Sequence, residues 1–201
     1  MSDIINLNSP YSEMEQYTRI QVQPCHMNKD ILQHILDALR KKVEDKCNKN
    51  GFVLKVHKIV KYEEKIMLPE NLSGAAPYNI TYNCRICIPL ENLIIIGMIK
   101  VINSELLICF NGPIIIFIPT KTNIDPNIWD ISNEFTHKEK KTILKQSDFI
   151  KIQIDRKKIT EGEQQIKCIG RMIDYATEEE VSKYYGPSGT NVDNNESNFI
   201  L

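Results

Sequence analysis

Cys84 and Cys87 form a Cys-x-x-Cys pair, half of what a structural zinc ion needs. No second pair completes the four ligands, and on a strand this spacing points the two thiols to opposite faces. They read as core thiols. Cys25 and His26, with His34, His57 and His137 elsewhere, supply the residue types of nucleophilic catalysis. Adjacency in sequence is not pairing, and no nucleophile signature surrounds them. The acidic runs Glu63-Glu64 and Glu178–Glu180 read as solvated charge, not as acid–base machinery. No glycine-rich loop leads into a Lys-Ser or Lys-Thr pair, so no nucleotide site is indicated. The chain is expected to have no catalytic residue, no metal and no cofactor.

The remaining chemistry is recognition. Between Lys138 and Arg171 stand ten basic residues against five acidic ones. Phe149–Asp155 alternates strictly, placing Ile150, Ile152 and Ile154 on a core face and Phe149, Lys151 and Gln153 on the other. Lys151, Arg156, Lys157, Lys158 and Lys167 are the candidate cations for tracking a phosphate backbone, with Phe149 as a ring on which a base can stack. The competing reading is a solvated sheet edge whose lysines discourage aggregation. A second candidate is apolar: Ile66, Met67, Leu68 and Pro69 lie in an otherwise polar loop, Glu63–Pro77. Such a loop is either a plug for a partner or folded back on its own sheet.

Two groups of elements must position these residues. In the first, Thr18–Gln23 alternates as a half-buried strand, with Ile20 and Val22 inward. Asn28 can cap a helix running from Lys29 to about Cys47, with Ile31, Leu32, Ile35, Leu36, Leu39 and Val43 in one stripe. Strands follow at Phe52–Tyr62 and Tyr78–Ile88 on either side of the long loop. In the second group, Ile94–Val101 is an apolar run kinked at Gly97, followed by short runs at Leu106–Phe110 and Ile114–Ile118. Thr120–Ser147 is looser. Phe149 opens a further strand, and Gln164–Ile173 returns from a polar loop at Arg156–Glu163. Closely spaced short strands with a kinked first member are how an OB-type barrel closes, a fold that mostly binds single-stranded nucleic acid. Glu178–Tyr185 reads as a short helix, and the polar stretch from Gly186 on as a disordered tail.

With 201 residues, 42% hydrophobic and 25% charged, the chain reads as globular and soluble, with room for two small domains. A formal net charge of −1 means that any basic surface is local. No apolar run approaches the roughly 18 residues that span a bilayer. The N-terminus lacks the basic stretch and apolar core of a secretory signal. Six scattered cysteines, mostly within apolar runs, suit reduced thiols in an intracellular protein.

Several short stretches recur in a familiar order and spacing: Arg19–Pro24 (RIQVQP), Leu39–Phe52 (LRKKVEDKCNKNGF), Ile66–Pro69 (IMLP), Tyr82–Arg85 (YNCR), Gly97, Gly112-Pro113 and Phe117-Ile118. From about Pro10 to Gly186 the chain resembles the RNA polymerase stalk subunit, the seventh subunit of eukaryotic RNA polymerase II and its archaeal counterpart. The resemblance implies an α+β protein in three parts. A small strand–helix–strand–strand tip domain, residues 1–89, docks on the core; an OB-fold β-barrel, residues 90–186, binds nucleic acid; residues 187–201 form the tail. It implies a non-catalytic subunit that docks near the clamp, with Ile66–Pro69 as the plug, and touches emerging RNA. Its partners would be the polymerase core subunits, a fourth-subunit-like stalk partner and, weakly, nascent single-stranded RNA, with no membrane. Leu90–Ile94 and Glu105-Leu106-Leu107 depart from the family pattern at the barrel's lead-in and first turn, which argues for weak RNA binding. That divergence, with heavy use of Ile, Asn and Lys, suits a large DNA virus; the protein would then work in host cytoplasm and virion, and otherwise in the nucleus. The alternative is a free-standing OB-fold RNA-binding factor of translation or RNA decay.

Overall fold

An alternating strand and a helix with one apolar stripe bury their faces against each other, and this packing builds the first of two units. The computed structural model describes residues 9–67, 71, 73–130, 135–138 and 143–186. The first unit comprises Tyr11–Ile88 with Ile159–Gln164; the second comprises Met1–Pro10, Pro89–Lys158 and Gln165–Leu201. The tail expected to be disordered lies, from residue 187, outside the described residues.

In the first unit β1 (Tyr11–Val22), α1 (Ile31–Val43), β2 (Lys46–Cys47), β3 (Phe52–Glu64) and β4 (Ala76–Cys87) follow in chain order. The strands form one antiparallel sheet ordered β1-β4-β3-β2. Ile35 and Leu39 of α1 pack into a core with Ile20 and Val22 of β1, Val53 and Val56 of β3, and alternate residues of β4. Leu32, expected in the same stripe, is half-exposed. The helix also ends earlier than its pattern suggests. Asp45 takes a left-handed φ of 56°, and the chain then pairs Cys47 with Phe52 as a short strand instead of a further helical turn. Glu44, just past the helix, accepts the Val56 N–H at 2.7 Å. The segment Ile159–Gln164 lies against β2: the Cys47 N–H donates to the Glu163 carbonyl at 2.7 Å and its carbonyl accepts from Gly162 at 2.8 Å.

The second unit holds β5 (Ile94–Ile102), β6 (Leu106–Asn111), β7 (Ile114–Pro119), α2 (Thr120–Asn123), β8 (Trp129–Asp130), β9 (Thr136–His137), β10 (Phe149–Lys158), β11 (Ile166–Tyr175) and α3 (Glu178–Tyr184). Five of these strands close in the order β10-β11-β7-β6-β5, β10 pairing back onto β5, with a parallel pair between β11 and β7. This is the OB-fold barrel. Closure depends on two glycines. A Cβ at Gly97 would stand 2.7 Å from Ile152 Cδ1, and one at Gly170 2.6 Å from Ile152 Cγ2. The missing side chains let Ile152 sit between strands in a barrel too narrow for three. Isoleucines dominate the remaining interior, and burial pushes the enclosed Cys109 thiol up to about 12.

Parts of the segment from Thr120, expected to be looser, form short elements. Trp129, Phe135, His137 and Leu144 are buried around the two-residue strands β8 and β9, with the Trp129 and His137 rings edge-on at 5.0 Å. At the end of the unit, Thr177 and Glu180 form a capping box that starts α3.

Candidate functional site

The sequence places Lys151 and Lys167 outward on neighbouring strands; Lys167 is exposed, and Lys151 does lie on the outer face of β10. It is nevertheless buried, because α3 covers that part of the face. Its ammonium meets Glu180 at 2.9 Å, and the Tyr185 hydroxyl just beyond the helix donates to the Ile96 carbonyl at 2.8 Å on the neighbouring strand. Lys151 therefore does not face solvent as expected. Glu180 is itself tuned by this contact. Burial alone would raise its carboxyl, but the Thr177 backbone N–H and Lys151 outweigh it and hold the group below the usual glutamate value. Phe149, the proposed stacking ring, is half-buried with Tyr185 5.7 Å from it.

Further along β10 a bulge at Asp155 changes the phase. The pairing steps from Ile154↔Gly170 to Arg156↔Ile169, Lys157↔Cys168 and Lys158↔Lys167. Cross-strand partners share a face, so Arg156 and Lys158 point outward with Ile169 and Lys167, while Lys157 shares the side of buried Cys168. The Cys168 thiol registers this: burial pushes it up to about 12, and the nearby Lys157 charge opposes that rise only in part. Alternation also identifies a residue that the sequence reading left out. Arg171 lies two and four positions beyond Ile169 and Lys167 on the same exposed face of β11, opposite Gln153. Among the described residues, Arg156, Lys158 and Arg171 form no salt bridge.

Following the register around the barrel gives two continuous rows. One runs Arg156, Ile169, Phe117, Ile108; the other runs Lys158, Lys167, Ile115, Phe110. Both begin with charge on β10 and end on apolar or aromatic side chains of β7 and β6, which are half-buried; Ile169 is 43% exposed. Phe110 and Phe117 carry a signal that was available in the sequence, since each occupies the non-core parity of its strand.

The second candidate site lies in the first unit. β3 and β4 continue their pairing to Glu64↔Tyr78, so the loop between them is shorter than expected, 65–75. Beyond Val53, β3 has β4 on one side only, and three register shifts bend it along that length. Val60 and Tyr62 on this free stretch are exposed, and at its end Ile66 is 88% and Met67 43% exposed. Leu68 and Pro69, named with them from the sequence, lie outside the described residues. The return limb is held by Asn71, whose side-chain amide donates to the Ala75 carbonyl at 2.8 Å, and by Gly74 at a φ of 64°.

Among the described residues there is no cluster of three or more metal-ligating side chains. Cys84 and Cys87 are both buried thiols of β4, the former raised by burial to about 11. No helix among the described residues is long and apolar enough to cross a membrane.

Residues 18–73 match the family described as the SHS2 domain found in the N terminus of Rpb7p/Rpc25p/MJ0397. Across 177 residues, 88% of each chain, the protein is 32% identical to a protein of Acanthamoeba polyphaga mimivirus that carries the name "Putative DNA-directed RNA polymerase subunit".

Proposed function

Because this chain belongs to the Rpb7-like family of DNA-directed RNA polymerase subunits, we propose that it is the non-catalytic stalk subunit of a multisubunit polymerase. It docks on the core near the clamp through the loop after β3, and its barrel contacts emerging RNA. The exposed apolar end of β3 and its loop, Val60, Tyr62, Ile66 and Met67, carries this reading. Single exposed apolar residues are ordinary on any surface. Four within eight positions, in the unit that matches the family, make a patch suited to a partner. The partners are the core subunits, a fourth-subunit-like stalk protein where one is present, and nascent single-stranded RNA held weakly. The protein resides wherever its polymerase does: the nucleus for a cellular enzyme, the host cytoplasm and virion for a viral one. Affinity capture of the tagged chain from cells that make it tests the proposal. Recovery of the large polymerase subunits is expected; recovery of translation or RNA-decay factors in their place would favour a free-standing RNA-binding role.

A further inference from the structure

The sheet of the first unit ends in two different edges. Along β3, three register shifts bend the strand. β1, outermost on the other side, pairs with β4 over all twelve of its residues, from Tyr11↔Cys87 to Val22↔Ala76, with no shift. It also holds no proline and no lysine. Bulges, prolines and lysines are among the devices that discourage pairing at an edge, and β1 has none of the three. We propose that a second copy of this chain adds its own β1 there, antiparallel and two-fold symmetric about Tyr17. The inference does not depend on the polymerase reading.

Three observations carry it. The first fixes which backbone groups face the edge. Lys42 of α1 donates to the Arg19 carbonyl, which puts the Arg19 backbone on the open side, whereas the Cys84 thiol of β4 lies 3.6 Å from the Met14 carbonyl. By alternation Glu13, Glu15, Tyr17, Arg19 and Gln21 present their N–H and C=O groups outward. The Arg19 carbonyl keeps a second lone pair for a partner strand. The second observation is Tyr17 itself, 65% exposed in the middle of a strand; in the symmetric pair its ring lies beside that of its mate. The third is charge. Glu15 and Arg19, both exposed, flank Tyr17 by two residues on one face of the sheet. About 14 Å apart along the strand, they cannot meet within one chain. Among the described residues neither forms a salt bridge. Two-fold pairing about Tyr17 sets each Glu15 opposite Arg19 of the other copy, and Glu13 opposite Gln21, so no like charges meet. A register two residues shorter would use Glu13 for Arg19 instead, but Glu13 already lies 3.8 Å from the His57 ring. This self-complementarity singles out a second copy as the occupant.

The test is sedimentation velocity of the full chain over a dilution series, with amide hydrogen exchange at a low and a high concentration. A monomer–dimer equilibrium is expected, with the Glu13, Glu15, Tyr17 and Arg19 amides slowed only at the higher concentration. Glu15→Arg or Arg19→Glu alone sets like charges opposite each other twice in the symmetric pair and weakens the dimer by about tenfold or more. An equimolar mixture of the two variants brings opposite charges together at both places and recovers the dimer, which variants that merely misfold would not do. Wild-type protein that stays monomeric at every concentration would overturn the proposal. A dimer whose affinity ignores both substitutions would overturn its placement on β1. Protection of these amides only when another protein is added would overturn the second copy as occupant and assign the edge to that protein.

Discussion

Ile152 is held between two glycines that differ in what surrounds them, and a pair of alanine substitutions separates their roles. At Gly97 an added Cβ meets Ile152 Cδ1 at 2.7 Å, with Cys109 Cβ at 3.2 Å and Ile116 Cδ1 at 3.6 Å. The worst contact is the far end of a flexible side chain. At Gly170 the added Cβ meets Ile152 Cγ2 at 2.6 Å, the Gln153 carbonyl oxygen at 2.9 Å and Ile116 Cγ2 at 3.0 Å. Neither a branch methyl beside the main chain nor a main-chain oxygen can turn away. Overpacking of this kind costs about 1–3 kcal/mol, so Gly97→Ala is placed at the lower end and Gly170→Ala at the upper end or beyond. Ile152→Val deletes Cδ1 and keeps Cγ2, at a cost of about 0.5–1.5 kcal/mol alone. Combined with Gly97→Ala it removes the clash, and the double variant is expected within about 0.5 kcal/mol of Ile152→Val. Combined with Gly170→Ala it relieves nothing, and the two losses add. Urea unfolding followed by fluorescence of Trp129, the chain's single tryptophan and a buried residue of the same unit, measures the five variants against the wild type. With m near 2 kcal/mol/M, a 2 kcal/mol loss lowers the midpoint by about 1 M. Rescue of Gly170→Ala by Ile152→Val, or equal tolerance of both alanines, would refute the account of how the barrel closes.

Two further outcomes follow from the buried groups. Of the six thiols, only Cys25 is exposed, while Cys109 and Cys168 are pushed up to about 12 and Cys84 to about 11. Native protein should therefore release one equivalent rapidly to a disulfide reagent at mildly alkaline pH, and six once denatured; several fast native thiols would contradict the packing. Glu180 has a folded pKa below its usual 4.5, so its contribution to stability is present above that value and is lost as pH falls through the lowered one. Glu180→Gln should destabilise the chain at neutral pH and narrow the gap in melting temperature between neutral pH and pH 3. An unchanged gap would mean that the contact with Lys151 does not stabilise the fold.

What could be read in advance was what repeats along the chain. The kink at Gly97, the three short apolar runs and the alternation from Ile150 to Ile154 were enough to indicate the barrel, and the stripe of α1 indicated its packing on a sheet. Local departures from period were not legible. The left-handed turn at Asp45 ends α1 before its pattern stops, and the bulge at Asp155 sends Lys157 to the opposite side from Arg156 and Lys158. Strands of two residues, such as β2, β8 and β9, show no alternation at all. Lys151 failed for another reason. Alternation assigned its face correctly, but no local pattern shows that a helix nearly thirty residues later covers that face with Glu180.

The central claim is that the end of β3 and its loop seat this chain on a polymerase core. Affinity capture at native salt, comparing the wild-type chain with Ile66→Ala/Met67→Ala/Leu68→Ala, tests it most directly. Each side chain buried on docking is worth about 1.5–3 kcal/mol, although such effects need not add. The variant should fold, with an unchanged far-UV circular dichroism spectrum and thermal transition of the whole chain, yet lose the large polymerase subunits that the wild-type chain recovers. Equal recovery of those subunits by both proteins would contradict the claim.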